Sequence, residues 1–81
     1  MEINDLCQII AEVLRVDPRE VRENNRLAVE LGADSLDLYQ IMVKVEDRYG
    51  IQISEREFRK IRTVGDIVRL IRKNRAEANT L

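Results

Sequence analysis

Eighty-one residues make one small domain with a simple core and leave no room for a second domain. A hydrophobic share of 44% beside a charged share of 36%, with a net charge of −1, describes a chain that is as a whole a soluble, mostly helical globule rather than disordered or membrane-spanning. No apolar run approaches the roughly 18 residues that cross a bilayer, and no basic stretch followed by an apolar one opens the chain, so no stable membrane insertion and a cytoplasmic location are expected.

Ile3, Leu6, Cys7, Ile10, Val13 and Leu14 recur at helical spacing, with Gln8, Glu12 and Arg15 between them. The pattern predicts an amphipathic helix over about 4–15, with Asn4 as its cap. Cys7 is the single cysteine; it falls on the apolar stripe and reads as a buried structural thiol, with no second cysteine for a disulfide or a multi-cysteine metal site. Asp17-Pro18 stops that helix and starts one short turn over 18–22, because proline disfavours a helical residue before it and suits a first helical position. The stretch from Asn24 to Gly32 reads as a long loop anchored to the core by Leu27, Val29 and Leu31. A loop of that length in so small a domain suggests a purpose.

That loop gives way to Gly32-Ala33-Asp34-Ser35-Leu36. Asp34 has an N-cap side chain and Asp37 follows three residues later, a capping-box spacing with Asp in place of Glu or Gln, so a helix is expected to begin at about Ser35. Ser35 then sits in the first turn, where free backbone N–H groups and the positive end of the helix dipole favour an anion attached to its oxygen. A serine there is also good local chemistry without any further role. Leu38, Ile41, Met42, Val45 and Tyr49 carry the helical pattern to a C-cap at Gly50, and Leu36, Tyr39 and Val43 extend the apolar stripe, as the central helix of a small bundle requires.

Ile51-Gln52-Ile53 reads as an extended link. Ser54 with Glu57 forms a second capping box, opening a short helix over about 55–61 that offers Phe58 and Ile61 to the core. Thr63 with Asp66 repeats the device, and a last helix over about 64–73 places Val64, Ile67, Val68 and Ile71 on one side. Residues 75–81 show no sustained pattern and are expected to be a disordered tail to a domain spanning 1–74. The whole predicts an all-α fold, a small four-helix bundle of three main helices plus one short helix.

Through Phe58 there are 7 Lys and Arg against 13 Asp and Glu; from Arg59 onward there are 7 against 2. The two parts either attract each other in the fold or meet different partners. Arg69, Arg72 and Lys73 share one helical face, with Arg75 close by; cations there complement a helix C-terminus, and no nucleic-acid partner is expected of a chain that is not basic overall. With no histidine, the common base for activating Ser or Cys is missing, which disfavours self-contained nucleophilic catalysis.

Gly32-Ala33-Asp34-Ser35-Leu36, followed by an amphipathic helix and preceded by about thirty residues holding one more, closely resembles the acyl carrier proteins of fatty-acid and polyketide synthesis. The likeness runs from about Ile3 to Asn74 and implies a bundle of acyl-carrier-protein type. It implies that Ser35 bears a 4′-phosphopantetheine arm, whose terminal thiol holds the acyl group as a thioester. It further implies a phosphopantetheinyl transferase that joins the arm to the Ser35 hydroxyl using coenzyme A and Mg²⁺, with Asp34 supporting the transfer. The protein is then a monomeric carrier rather than an enzyme, and its partners are acyl-transferring, synthase or ligase enzymes.

In the resembled family the helix after the serine presents acidic residues to basic patches on partner enzymes. Asp37, Glu46 and Asp47 match in kind; Lys44 and Arg48 are partner-binding candidates on the same helix that depart from the acidic pattern and suggest a specialised carrier with its own enzymes. Short or medium acyl chains fold back between the helices in that family, and Leu38, Met42, Ile53, Phe58 and Ile61 are the candidate lining, with the short third helix as a gate. A peptidyl or D-alanyl carrier of similar fold, or an unmodified helical interaction module, are the alternatives.

Overall fold

The structure is a computed structural model that describes the backbone of residues 3–79 and the side chains of residues 3–75. Four helices follow in the expected order: α1 (Ile3–Leu14), α2 (Ser35–Tyr49), α3 (Glu55–Arg59) and α4 (Val64–Asn79), with a 3₁₀ turn at Pro18–Glu20 between the first two. Among the described residues there is no strand, and one isolated antiparallel bridge joins Arg26 to Thr63.

Helix α1 starts at Ile3, which places Asn4 inside the first turn rather than at the cap. It ends at Leu14 because Arg15 turns to a positive φ of 58°, and Val16 N–H reaches back to Ala11 C=O at 3.1 Å. This six-residue closure is the Schellman pattern, with arginine where glycine is usual. Cys7 is half-buried rather than fully buried; it packs against the core and its thiol donates to Val21 C=O at 3.4 Å. Burial pushes its pKa up, so it stays a thiol.

Helix α2 carries both caps expected of it. Gly50 takes the left-handed conformation, φ 65°, and its N–H donates to Glu46 C=O at 2.9 Å, a position where a side chain would be strained. Helix α3 is two residues shorter than its pattern suggested, and Ile61 falls just beyond it, buried at 4% exposure. Ser54 and Glu57 cap α3 reciprocally, and Thr63 and Asp66 do the same for α4: Asp66 N–H donates to Thr63 Oγ1 and Thr63 N–H to Asp66 Oδ2.

Helix α4 continues to Asn79, past the expected end at Lys73. Arg75, Ala76, Glu77 and Ala78 are strong helix formers, and no Gly or Pro stops them, so propensity extends the helix where the apolar stripe has ended. The expected disordered tail, 75–81, is therefore helical in backbone as far as Asn79. Residues 80–81 lie outside the described residues.

The core is built from one face of each long helix plus pieces of the loop. Leu6 and Ile10 of α1, Ile41 and Val45 of α2, and Val64, Ile67, Val68 and Ile71 of α4 are at most 1% exposed, and Leu27 joins them from the loop. No polar or charged residue among those described is buried as a whole, and the side-chain polar atom shut from solvent without a partner is the Tyr49 hydroxyl.

Candidate functional site

The long loop delivers the site because it is pinned at three levels. Leu27 sits in the core, and its N–H donates to Arg62 C=O at 2.9 Å, while Val64 N–H donates to Asn25 C=O and Gly65 N–H to Glu23 C=O. These bonds lay the loop antiparallel to the link before α4. Residues 26–32 then coil on themselves: Glu30 N–H and Leu31 N–H both reach Arg26 C=O, Gly32 N–H reaches Ala28 C=O, and the coil ends at Gly32 with φ 76°. Ala33, buried at 6% exposure, ties its N–H to Leu27 C=O at 2.9 Å. With Ala33 anchored, the chain emerges at Asp34 and Ser35, both exposed.

At that point the helix N-terminus is partly capped. Asp37 N–H donates to Asp34 Oδ1 at 2.8 Å and Asp34 N–H to Asp37 Oδ2 at 3.1 Å. Leu38 N–H is taken by Asp34 C=O. The N–H groups of Ser35 and Leu36 are left as first-turn donors without a protein partner among the described residues. Ser35 Oγ likewise makes no hydrogen bond among the described residues, and no base reaches it. The result is a free hydroxyl at the positive end of a fifteen-residue helix. Such an oxygen, with two backbone donors beside it, suits a phosphodiester.

The apolar residues around Ser35 are not where their spacing suggested. Leu36 is 63% exposed, Tyr39 61% and Val43 47%, although all three extend the α2 stripe; Val29, expected in the core, is 77% exposed. At about 100° per residue, Leu36 and Val43 lie beside one another on the flank of α2 next to Ser35 and Tyr39. Each long helix has a limited arc covered by neighbours, and Leu36, Tyr39 and Val43 lie largely outside it.

Among the residues proposed for partner contact, the structure gives several an internal task. Asp37 belongs to the cap. Glu46 accepts from Ile53 N–H at 2.8 Å. Lys44 lies 3.9 Å from Glu12, and Arg48 pairs with Asp5 at 2.9 Å, both of them on α1. Lys44 and Arg48 stand about half a turn around the axis from Ser35, so their charges are aimed at α1. Asp47 is exposed and without an ion pair among the described residues.

Of the proposed acyl lining, Met42, Ile53 and Phe58 come together in an open cleft of about 410 Å³ between α2 and α3. Tyr39, Val43, Glu46 and Glu55 complete it. Leu38 is half-buried elsewhere on α2, and Ile61 lines a separate hollow with Lys60 and Leu70. Tyr39 and Val43 were legible only as core candidates; their offsets of 4 and 8 from Ser35 are the signal that places them on its side of the helix.

The family model described as "Phosphopantetheine attachment site" matches residues 4–71. The acyl carrier protein of Wolinella succinogenes is 40% identical over 72 residues, covering 89% of this chain and 95% of the relative. The acyl carrier protein of Chlamydia felis is 39% identical over 74 residues, covering 91% of this chain and 95% of its own. Among solved structures, the acyl carrier protein of Thermotoga maritima superposes with a TM-score of 0.82 at 30% identity, covering 94% of this chain and 88% of that one.

Proposed function

We propose, given that this chain belongs to the acyl carrier protein family, whose members bear a covalent 4′-phosphopantetheine, that Ser35 is the attachment point of that arm. The observation that carries the reading is the free, exposed Ser35 hydroxyl beside two unpartnered N–H donors, at the head of a capped helix. The arm supplies a terminal thiol on which an acyl group is held as a thioester. The chain's own residues supply position: Leu27 and Ala33 anchor the loop, Gly32 turns it, and Asp34 fixes the helix start. Asp34 spends one oxygen on the cap and keeps the other for the transfer reaction.

The protein acts as a substrate and carrier rather than a catalyst. No base touches Ser35 Oγ among the described residues and the chain has no histidine, so the hydroxyl keeps ordinary reactivity and needs a transferase to activate it. Acyl intermediates are carried to the enzymes of fatty acid, polyketide or related lipid synthesis. The enzymes dock on the exposed flank of α2, where Leu36, Tyr39 and Val43 supply apolar area and Asp47 supplies negative charge. Lys44 and Arg48 pair with Glu12 and Asp5 on α1, on the side of α2 away from this flank. Acyl chains fold back into the α2–α3 cleft over Met42, Ile53 and Phe58.

Intact-mass measurement tests the attachment. Incubation with a broad-range phosphopantetheinyl transferase, coenzyme A and Mg²⁺ is expected to add one phosphopantetheinyl group to the wild-type protein and none to Ser35→Ala. An unmodified wild type, or a modified Ser35→Ala, overturns the assignment.

A further inference from the structure

The α2–α3 cleft adjoins a second, more widely open surface hollow beside the α2–α3 link, lined by Asp47, Ile51, Gln52 and Glu57. The two share three walls: Val43, Glu46 and Ile53. Across that shared boundary runs one bond, from Ile53 N–H to Glu46 Oε2 at 2.8 Å. Glu46 also takes the end of α2 through its backbone, since Gly50 N–H and Ile51 N–H both donate to its carbonyl. One residue thus fixes the chain reversal twice, and its half-buried side chain holds Ile53 between the hollows.

Helical geometry gives the boundary a direction. Ser35, Tyr39, Met42 and Glu46 fall on one side of α2; Tyr39 lies about 6 Å along the axis from Ser35, and Glu46 about 16 Å. A chain folding back from Ser35 enters over Tyr39 and Met42 and reaches Glu46 last. There it meets a carboxylate, and an apolar chain passing that group strips its water at a cost no hydrocarbon contact repays. Breaking the bond frees Ile53 to move aside and joins the two hollows.

We infer that Glu46, through its bond to Ile53 N–H, is the end stop that sets the longest acyl chain this carrier shelters. The inference rests on the reading of the α2–α3 cleft as the acyl site. It assigns to Glu46 a task inside the domain, in place of the partner contact its charge suggested.

Two measurements separate the bond from the cargo. In the protein without an arm, Glu46→Ala and Glu46→Leu are expected to speed amide hydrogen exchange at Ile53 roughly tenfold, the loss of a bond to a charged acceptor. Glu46→Gln keeps an acceptor oxygen and is expected to stay near the wild type. The same four proteins are then loaded through Ser35 with saturated acyl chains from short to long, and each Tm is compared with that of its own unacylated form. Wild type and Glu46→Gln are expected to gain Tm with chain length up to a plateau; in Glu46→Ala and Glu46→Leu the plateau moves to longer chains. Glu46→Leu keeps side-chain volume, so it reports even where the alanine variant folds poorly. A common plateau in all four, with the Ile53 amide opened, overturns the end stop while leaving the cleft as the acyl site. A loaded wild type with no Tm gain at any length overturns the cleft reading and the end stop with it.

Discussion

Asp34 and Asp37 exchange hydrogen bonds across the first turn of α2, each carboxylate accepting the backbone N–H of the other, at 2.8 and 3.1 Å. Two orphan donors are satisfied and two negative charges sit at the positive end of the dipole, which leaves the Ser35 hydroxyl between them exposed, with spare donors at its side.

Asp34→Ala is expected to cost about 1 kcal/mol of stability and Asp34→Asn only a few tenths, because asparagine keeps the capping oxygen. Urea melts followed by circular dichroism measure both. Loading of Ser35 is expected to slow in the alanine variant, as the first turn loosens. Equal stability in the two variants would show that the cap contributes nothing.

Leu27 and Val29 share one loop and one apolar character, yet Leu27 is 1% exposed and Val29 77%. Leu27→Ala is expected to cost 2–5 kcal/mol, the transfer term plus the cavity it leaves, which in a domain this small approaches the whole stability. Val29→Ser is expected to change stability by less than about 0.5 kcal/mol. Denaturant unfolding of the two variants side by side is the measurement.

Arg15 closes α1 at φ 58°, where a side chain costs roughly 1 kcal/mol against glycine. Arg15→Gly relieves that crowding and gives back part of the gain through the freer unfolded chain; a net rise of about 0.5 kcal/mol is expected. Arg15→Val, β-branched in the same conformation, is expected to lower stability. Thermal melts rank the three, and wild type ranking first would contradict the backbone argument.

Acid unfolding should report on two caps. Burial pushes the Asp66 carboxyl up, but the N–H groups of Thr63 and Arg62 and the Arg69 guanidinium outweigh it and hold it below the usual range. Glu57 is held low chiefly by the Ser54 backbone N–H, against a smaller upward push from burial. A carboxylate depressed in the folded state adds stability that is present above its unfolded pKa and lost as pH falls through its folded one. Stability is therefore expected to hold from neutrality to about pH 5 and to decline below about pH 4. Urea midpoints across that interval measure it, and Asp66→Asn is expected to flatten the decline.

Much of the fold was legible in the chain because its signals are local. Capping needs only residues three apart, so the starts of α2, α3 and α4 fell where Asp34, Ser54 and Thr63 place them. Gly50 marked the end of α2 by the same logic. Where the local signal was weak the boundary moved: Arg15 took a turn conformation that nothing in its side chain advertises, and α4 ran on through residues with propensity but no stripe.

The proposed site was legible as one residue and not as a surface. Ser35 followed from the cap and the family likeness. Leu36, Tyr39 and Val43 read as core because a 3.6-residue period marks apolar residues without saying which of them a neighbour covers. Lys44 and Arg48 read as partner contacts because charge is visible in a sequence and its counter-charge on α1 is not.

Where helices start, and the hydroxyl that heads the second of them, can be deduced from residues lying within a turn of each other, since hydrogen bonds of that range involve no other part of the chain. Which apolar residues are covered, which charges are already matched, and that Glu46 reaches across to Ile53, came only with folding. Those outcomes depend on how α1, α3 and the loop pack around α2, and packing between distant segments leaves no mark at any one position.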